Sequence, residues 1–190
     1  VGVLPPNTLM QRWIEKLAQD PAVLVLTETT SNLNHPEFFP SIDSILFPIE
    51  KSKNARSSFN ELRPDLLVTI GGMVVSKKIK AFLRDYKAKQ HWHLGHTKAN
   101  DTFFTGVVPL RTDLNTFFHN ILLDKQTRKS DFKTIWKKRR QHYEAKRTMY
   151  LKDCPFSDFW VFHKCLTAIP QKYNVHFSNS SAIRYAQLFT

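Results

Sequence analysis

Short, uninterrupted apolar runs are the feature that most constrains the fold of this chain. Ala22 to Thr29 reads AVLVLTET, and Leu66 to Ile70 reads LLVTI. A run of this kind predicts a strand that is covered on both faces, as in a parallel sheet. His91 to Gly95 (HWHLG) predicts a third strand, and Thr102 to Val108 (TFFTGVV) predicts a fourth.

Helical patterns separate these runs. They cover residues 8–18, 38–49, 76–86 and 114–123. In the first of them, Leu9, Trp13 and Leu17 are spaced to share one face, which we expect to lie against the core. Strands that alternate with helices predict an α/β fold, here a Rossmann-like parallel sheet flanked by helices.

The chain changes character after this alternation. A long polar helix is predicted from Ser130 to Lys152, a second helix from Ser157 to Ala168, and a short closing strand from Val175 to Phe177. We therefore divide the chain into a central α/β domain (1–128), a helical linker (129–170) and the first part of a further domain (171–190). The missing initiator Met and the end at Thr190, soon after a new element begins, suggest a fragment.

Composition indicates a globular protein with a strong positive charge. Hydrophobic residues make up 42%, charged residues 23%, and the net charge is +12. No apolar run approaches the length of a membrane span, and no signal pattern opens the chain, so we expect no membrane association. Cys154 and Cys165 lack the spacing of a zinc site, and we expect both to be free core thiols in a reducing cytoplasm.

Residues 175–186, near the end of the sequence, carry the clearest candidate site. Strand-like VHF is followed by Asn179 and Ser180, and Arg184 comes one helical turn later. If Ser180 caps this helix, then Ser180, Arg184 and the free backbone N–H groups share one face. An arginine beside such donors suits a carboxylate.

A second candidate anion site lies at Ser76-Lys77-Lys78. Two cations in the first turn of a helix oppose the helix dipole, and each costs a few tenths of a kcal/mol or so when exposed. Lys77 and Lys78 could bind an anion together with the free N–H groups of the helix. Alternatively, both lysines are simply solvated and tolerate this small penalty.

Histidines cluster near one strand end. His91 and His93 alternate to the same side of the predicted strand, and His96 follows. This geometry could hold a metal, but no acid or cysteine lies close by in the sequence to complete a ligand set. We favour ordinary strand-edge histidines and predict no metal site.

The helix WKKRRQHYEAKR (Trp136 to Arg147) is the strongest signal for nucleic acid. Basic residues interleaved with aromatic ones could bind phosphates non-specifically. The same helix also carries an apolar stripe, which consists of Phe132, Ile135, Trp136, Tyr143 and Met149. Its basic residues could then form a solvated face or pair with acids of a missing domain. No nucleic-acid-binding motif supports the first interpretation, and we rank it second.

Three stretches resemble the thiamin diphosphate-dependent synthase of menaquinone biosynthesis that makes 2-succinyl-5-enolpyruvyl-6-hydroxy-3-cyclohexene-1-carboxylate (SEPHCHC). They are RPDLLVTIGGMVVSKKIKAFLRDY, HWHLGHTKANDTFF and NSSAIR. The first is similar to the strand, glycine turn and lysine-bearing helix of the family's central domain. The last is similar to the Asn-Ser-x-x-x-Arg segment that opens its diphosphate-binding domain. The resemblance spans nearly the whole chain.

The resemblance implies a function and a set of site residues. Such enzymes decarboxylate 2-oxoglutarate on thiamin diphosphate with Mg and add the succinyl unit to isochorismate, and they assemble as homo-oligomers. By resemblance, Asn179, Ser180 and Arg184 would contact substrate. Lys77 and Lys78 would match a Lys-Arg pair of the central domain, with Lys78 in place of the usual arginine.

The resemblance also predicts what this chain does not supply. The Gly-Asp-Gly motif that binds Mg and diphosphate is absent from the sequence, and the activating glutamate belongs to another domain. We therefore expect no catalytic residue within the chain, no cofactor on the chain alone and no turnover by it. The alternative hypothesis is a basic module that binds an anion or a nucleic acid.

Overall fold

The computed structural model describes residues 1–96, 98–123, 129–170 and 172–189. The helices are α1 (Thr8–Leu17), α2 (Ile42–Glu50), α3 (Ala55–Leu62), α4 (Lys77–Asp85), α5 (Leu114–Leu123), α6 (Phe132–Tyr150), α7 (Asp158–Ala168) and α8 (Ser181–Ala186). The strands are β1 (Leu66–Ile70), β2 (Gln90–Leu94) and β3 (Val108–Leu110). The predicted limits 128 and 171 of the domain division fall on residues outside the described ranges.

The sheet is parallel, and its strand order is β1-β2-β3. Val68 lies opposite Trp92, and Trp92 lies opposite Val108. The expectation of an α/β fold with a Rossmann-like parallel sheet is confirmed. The predicted strand at Leu66 to Ile70 is confirmed, and the strand predicted at His91 to Gly95 is found one residue earlier, as β2.

Helices cover both faces of the sheet with two apolar clusters. One cluster joins α2, α3, α4 and α6, and its largest member is Trp136. The other joins α1 and α5 to the ends of the strands through Ile70, Leu94 and Phe118. The sheet therefore sits between two helical layers, and the carboxyl ends of β1 and β2 are buried.

The strand predicted over Ala22 to Thr29 is wrong. Only one parallel bridge forms there, between Leu26 and Phe39. The Phe39 N–H donates to the Val25 carbonyl at 2.9 Å, and the chain then enters a 3-10 turn at Thr29–Ser31. The run is apolar because Val25 and its neighbours pack into the core, and burial alone does not create a ladder.

The strand predicted over Thr102 to Val108 is also wrong, because strand pairing begins at Val108. The Asp101 carboxylate accepts hydrogen bonds from the Thr105 N–H at 3.1 Å and the Gly106 N–H at 2.8 Å. These bonds curl the preceding residues into a turn. The predicted closing strand, Val175 to Phe177, likewise has no regular strand structure.

The inner face of α1 differs from the prediction at Leu9. Asn7 caps the helix by accepting from the N–H groups of Leu9 and Met10. Met10 and Ile14 are buried, whereas Leu9 is 43% exposed. Trp13 and Leu17 pack at the edge of the core as expected, so the buried stripe is shifted by one position from Leu9.

The helix predicted over Ser130 to Lys152 corresponds to α6, which packs against α2 and α3. Trp136 is buried between Phe39 and Phe82, with ring centroids 6.2 and 6.3 Å away. Met149 does not join this stripe, since it is 69% exposed.

The cysteines are not core thiols as predicted: both are free, with Cys154 partly buried and Cys165 exposed. Within the described ranges, no helix combines the length and apolarity that a bilayer span requires.

Candidate functional site

The start of α4 is held by side chains of its own chain. Ser76 caps the helix by accepting from the Ile79 N–H at 3.0 Å. The Glu28 carboxylate accepts from the Val75 N–H and the Ser76 N–H, each at 2.6 Å. The N–H groups of Val75, Ser76 and Ile79 at this helix start are therefore bound internally.

Sequence reasoning missed Glu28. It is buried and lies near the end of the apolar run Ala22 to Thr29. Burial raises the pKa of the Glu28 carboxyl, and the hydrogen bonds from Val75 and Ser76 oppose that rise. The Ser76 hydroxyl in turn donates to the Asp43 carboxylate. An acid at the end of a buried run was the available signal, because such a residue needs donors nearby.

The two lysines of α4 differ in their surroundings. Lys77 is exposed and, among the described residues, makes no hydrogen bond or ion pair. Lys78 forms an ion pair with Glu50 at 2.5 Å, and its Nζ lies 5.0 Å from the centre of the Phe47 ring. Lys77 is therefore available to a ligand, whereas Lys78 already has a partner.

The segment before α8 has an unusual backbone. Ser180 occupies the N-cap position with φ +70° and makes no capping hydrogen bond, contrary to the sequence prediction. The Asn179 side-chain oxygen accepts from the Ser180 N–H at 2.7 Å. A non-glycine residue in this region costs about 1–3 kcal/mol, and such strain clusters at functional sites.

Arg184 comes close to the start of α4 across a small cavity that has room for about one water molecule. The residues that line it are Glu28, Pro40, Ile42, Asp43, Ser76, Arg184, Gln187 and Leu188. The Arg184 side chain makes no hydrogen bond or ion pair within the described part of the chain. The cavity thus joins two motifs that lie far apart in the sequence.

Two contacts hold α8 beside this cavity. The Ser41 hydroxyl donates to the Gln187 carbonyl at 2.9 Å, and the Arg147 guanidinium donates to the Leu188 carbonyl. Burial lowers the pKa of the Arg147 guanidinium. The side-chain nitrogen of Gln187 is buried without a partner among the described residues. Arg184 is therefore positioned by the anchored helix, not by a bond of its own.

The histidines of β2 belong to a hydrogen-bond network. The Thr69 hydroxyl lies 2.9 Å from His91 Nε2 and 3.0 Å from His93 Nδ1. His91 Nδ1 lies 2.7 Å from the Thr105 hydroxyl, and burial lowers the pKa of both imidazoles. Asp101, which the sequence did not place near them, lies 3.9 Å from His91.

The donor set does not fit a magnesium diphosphate. Over the residues that the structure describes, no group of three or more His, Cys, Asp or Glu side chains could hold a metal. At the cavity, Glu28 and Asp43 are already bound by internal donors, and Arg184 adds a positive charge. Of these three residues, Arg184 is the one whose side chain suits a carboxylate ligand.

The basic residues of α6 contact the α/β layer of the same chain. Lys137 pairs with Glu37 at 2.6 Å, and Arg139 pairs with Glu61 at 3.3 Å. Arg140 donates to the Phe38 carbonyl at 2.8 Å and stacks on the Phe39 ring. The expectation that these residues form a solvated face or await acids elsewhere is therefore wrong for these three residues.

The architecture and the cavity define an α/β domain in which Arg184 lines one small pocket together with Ser76, the residue before the exposed Lys77. Along its sequence, the chain is 45% identical over 193 aligned positions to the 2-succinyl-5-enolpyruvyl-6-hydroxy-3-cyclohexene-1-carboxylate synthase of Christiangramia forsetii, with 100% of this chain and 33% of that protein covered. The synthase of the same name from Flavobacterium johnsoniae is 43% identical, with 98% of this chain and 33% of that protein covered. No protein-family model matches the chain.

A third relative extends the agreement. The synthase of this name from Flavobacterium psychrophilum is 38% identical across 100% of the chain and 34% of its own length. The chain belongs to the SEPHCHC synthase family, and the resemblance seen in its motifs is confirmed. It spans about a third of the length of the curated relatives it matches.

Proposed function

We propose that this chain is the central α/β domain and the following segment of a SEPHCHC synthase. The whole enzyme decarboxylates 2-oxoglutarate on thiamin diphosphate and adds the succinyl unit to isochorismate in menaquinone biosynthesis. One observation carries the assignment of the site: Arg184 and Ser76, the residue before Lys77, line the same cavity. This proximity supports our assignment of the two motifs to one substrate site.

Lys77 and Arg184 are the residues that we assign to substrate carboxylates. Both are exposed cations without internal partners among the described residues. The arginine fork suits a carboxylate in two-point contact, and the lysine supplies a mobile point charge. Asn179 and Ser180 add polar groups at the start of α8. Lys78 has a smaller role, because it must leave Glu50 before it binds a substrate.

Thiamin diphosphate and Mg are held by other parts of the enzyme in this proposal. Bound thiamin diphosphate supplies the carbanion-stabilising chemistry of the decarboxylation. The site residues of this chain bind and orient substrate carboxylates, and the chain alone has no turnover. We assign residues 1–128, 129–170 and 171–190 to the central domain, the linker and the start of the diphosphate-binding domain. The family resemblance further suggests a homo-oligomer, and the free thiols Cys154 and Cys165 support a cytoplasmic location.

The first test is the coding sequence on both sides of this segment, followed by an assay of the intact product. We expect a pyrimidine-binding domain upstream and a Gly-Asp-Gly motif downstream. The purified full-length protein should form SEPHCHC from 2-oxoglutarate and isochorismate when thiamin diphosphate and Mg are supplied. A reading frame without these domains, or a full-length protein without product, would contradict the proposal. Decarboxylation of 2-oxoglutarate by residues 1–190 alone would contradict the expected inactivity of the chain.

A further inference from the structure

We infer that Glu28 is a positioning residue of the substrate site: its buried carboxylate fixes the start of α4 and thereby orients Lys77. This inference rests on the proposed function. Glu28 itself touches no substrate in this account and acts through the lysine.

The bonds of Glu28 support this role because both carboxylate oxygens are engaged. Oε2 accepts from the Val75 N–H and Oε1 from the Ser76 N–H, across sequence separations of 47 and 48 residues. Both donors lie immediately before Lys77. Glu28 is only 3% exposed, so the contact lies in a nearly dry environment where charge-assisted hydrogen bonds are strong.

Neighbouring groups extend this contact into the helix. Ser76 donates its hydroxyl to the Asp43 carboxylate and accepts from the Ile79 N–H with the same oxygen. Ile79 is buried in the cluster that also holds Trp136. The backbone on both sides of Lys77 is therefore fixed, while the Lys77 side chain stays exposed.

The same contact influences which groups can bind a substrate carboxylate. Free N–H groups at a helix start attract anions. Here the Glu28 carboxylate occupies the N–H groups of Val75 and Ser76, so these two groups are closed to an incoming carboxylate, whereas the exposed Lys77 side chain next to them is open to it. Arg184 lines the cavity and Lys77 follows the lining residue Ser76, and neither cation has an internal partner among the described residues.

A double-mutant cycle in the full-length synthase tests the inference. Lys77→Ala first identifies the substrate whose KM depends on this lysine. We expect Glu28→Ala to raise the KM for the same substrate about tenfold, with a smaller change in kcat. Because Glu28 acts through Lys77, the double variant should bind that substrate no more weakly than Lys77→Ala alone. Glu61→Ala, which removes an exposed acid paired with Arg139, is the matched control. It should leave the KM values for 2-oxoglutarate and isochorismate unchanged.

Chemical rescue separates positioning from general damage. Glu28→Ala leaves the Val75 and Ser76 N–H groups facing an empty space, which formate can fill. Added formate should restore the KM of the Glu28→Ala variant toward the wild-type value and have no effect on Glu61→Ala. If Glu28→Ala does not fold, Glu28→Gln takes its place in the cycle, because it keeps the side-chain shape while losing the charge and one acceptor oxygen.

Other results would overturn the inference. A fall in melting temperature with both KM values unchanged would make Glu28 purely structural. If the effects of Glu28→Ala and Lys77→Ala on KM are fully additive, Glu28 does not act through the lysine. A wild-type protein that forms no SEPHCHC would instead defeat the proposed function, and the positioning role with it. If the wild type is active but the effects of the two substitutions are additive, the positioning role of Glu28 is contradicted and the proposed function is not.

Discussion

Two regions of this molecule carry concentrated positive charge, and they use it differently. On α6, Lys137, Arg139 and Arg140 all contact acids or carbonyls of the same chain. Arg184, which lines the cavity, and Lys77, which follows the lining residue Ser76, have no such partners within the described ranges. The denser cluster in the sequence is thus the one whose charges are largely satisfied. Availability to a ligand depends on what folding brings next to each cation.

The apolar stripe of α6 explains this difference. Trp136 is buried beside Phe39 and fixes the rotation of the helix. The flanking basic residues then face the α/β layer, where Glu37 and Glu61 lie. At α4, by contrast, Glu28 satisfies the backbone of the helix start, and the Lys77 side chain is left exposed.

Removing Trp136 should give the largest effect on stability. Trp136→Ala should lower the free energy of unfolding by about 3–5 kcal/mol, because it leaves a cavity in the aromatic cluster. Unfolding in urea, followed by circular dichroism, measures this change. Met149→Ala on the same helix is the control, and it should stay within about 0.5 kcal/mol of the wild type because Met149 is exposed. Equal effects of the two substitutions would contradict the docking of α6 through Trp136.

Lys137→Ala should have a small effect that depends on pH. The pair with Glu37 is partly exposed, so its loss should cost about 0.2–1 kcal/mol at pH 7. The hydrogen bond from Lys137 lowers the pKa of the Glu37 carboxyl below its usual 4.5. The contribution is therefore present above pH 4.5 and disappears as the pH falls through the folded-state pKa.

Urea titrations of the wild type and Lys137→Ala at pH 7 and at progressively lower pH measure this dependence. The two stability curves should converge toward low pH. Lys138→Ala, which changes an exposed neighbour, is the control and should show no such convergence. A difference between wild type and Lys137→Ala that grows as the pH falls would contradict the ion pair.

Of these changes, neutralising the basic residues 137–140 should have the smallest effect, here on nucleic-acid binding. Lys137, Arg139 and Arg140 already have internal partners. We therefore expect no steep, salt-sensitive affinity for nucleic acid that depends on residues 137–140. Gel shifts with a duplex at two salt concentrations provide the measurement. Tight binding at low salt that weakens strongly with added salt and is lost in the neutralised variant would favour the alternative basic module.

Local patterns were enough to predict much of the fold. The apolar run of β1 and the 3.6-residue periodicity of α5 both specify their elements directly, and both were predicted with the correct bounds. The run Ala22 to Thr29 was misassigned because it has the burial of a strand but only one bridge, to Phe39. What a buried residue pairs with depends on distant parts of the chain.

The candidate site likewise combines features that local sequence indicates with contacts that only the folded chain reveals. Motif resemblance singled out Lys77 and Arg184, and an acid in a buried run was a signal for Glu28, but nothing local indicated which N–H groups Glu28 would bind. Those donors lie 47 and 48 residues further along the chain. The pairing of Lys78 with Glu50, 28 residues away, was hidden for the same reason.

The most direct test of the account compares Arg184, which lines the cavity, and Lys77, which follows the lining residue Ser76, with other exposed cations in the full-length protein. Arg184→Ala and Lys77→Ala are measured beside Arg12→Ala and Lys138→Ala, which remove exposed charges elsewhere. We predict that the two cavity variants weaken the apparent affinity for isochorismate or 2-oxoglutarate, with KM values about 10- to 100-fold higher, and that the two controls leave both values unchanged. Wild-type KM values in both cavity variants would contradict the assignment of Lys77 and Arg184 to the substrate site.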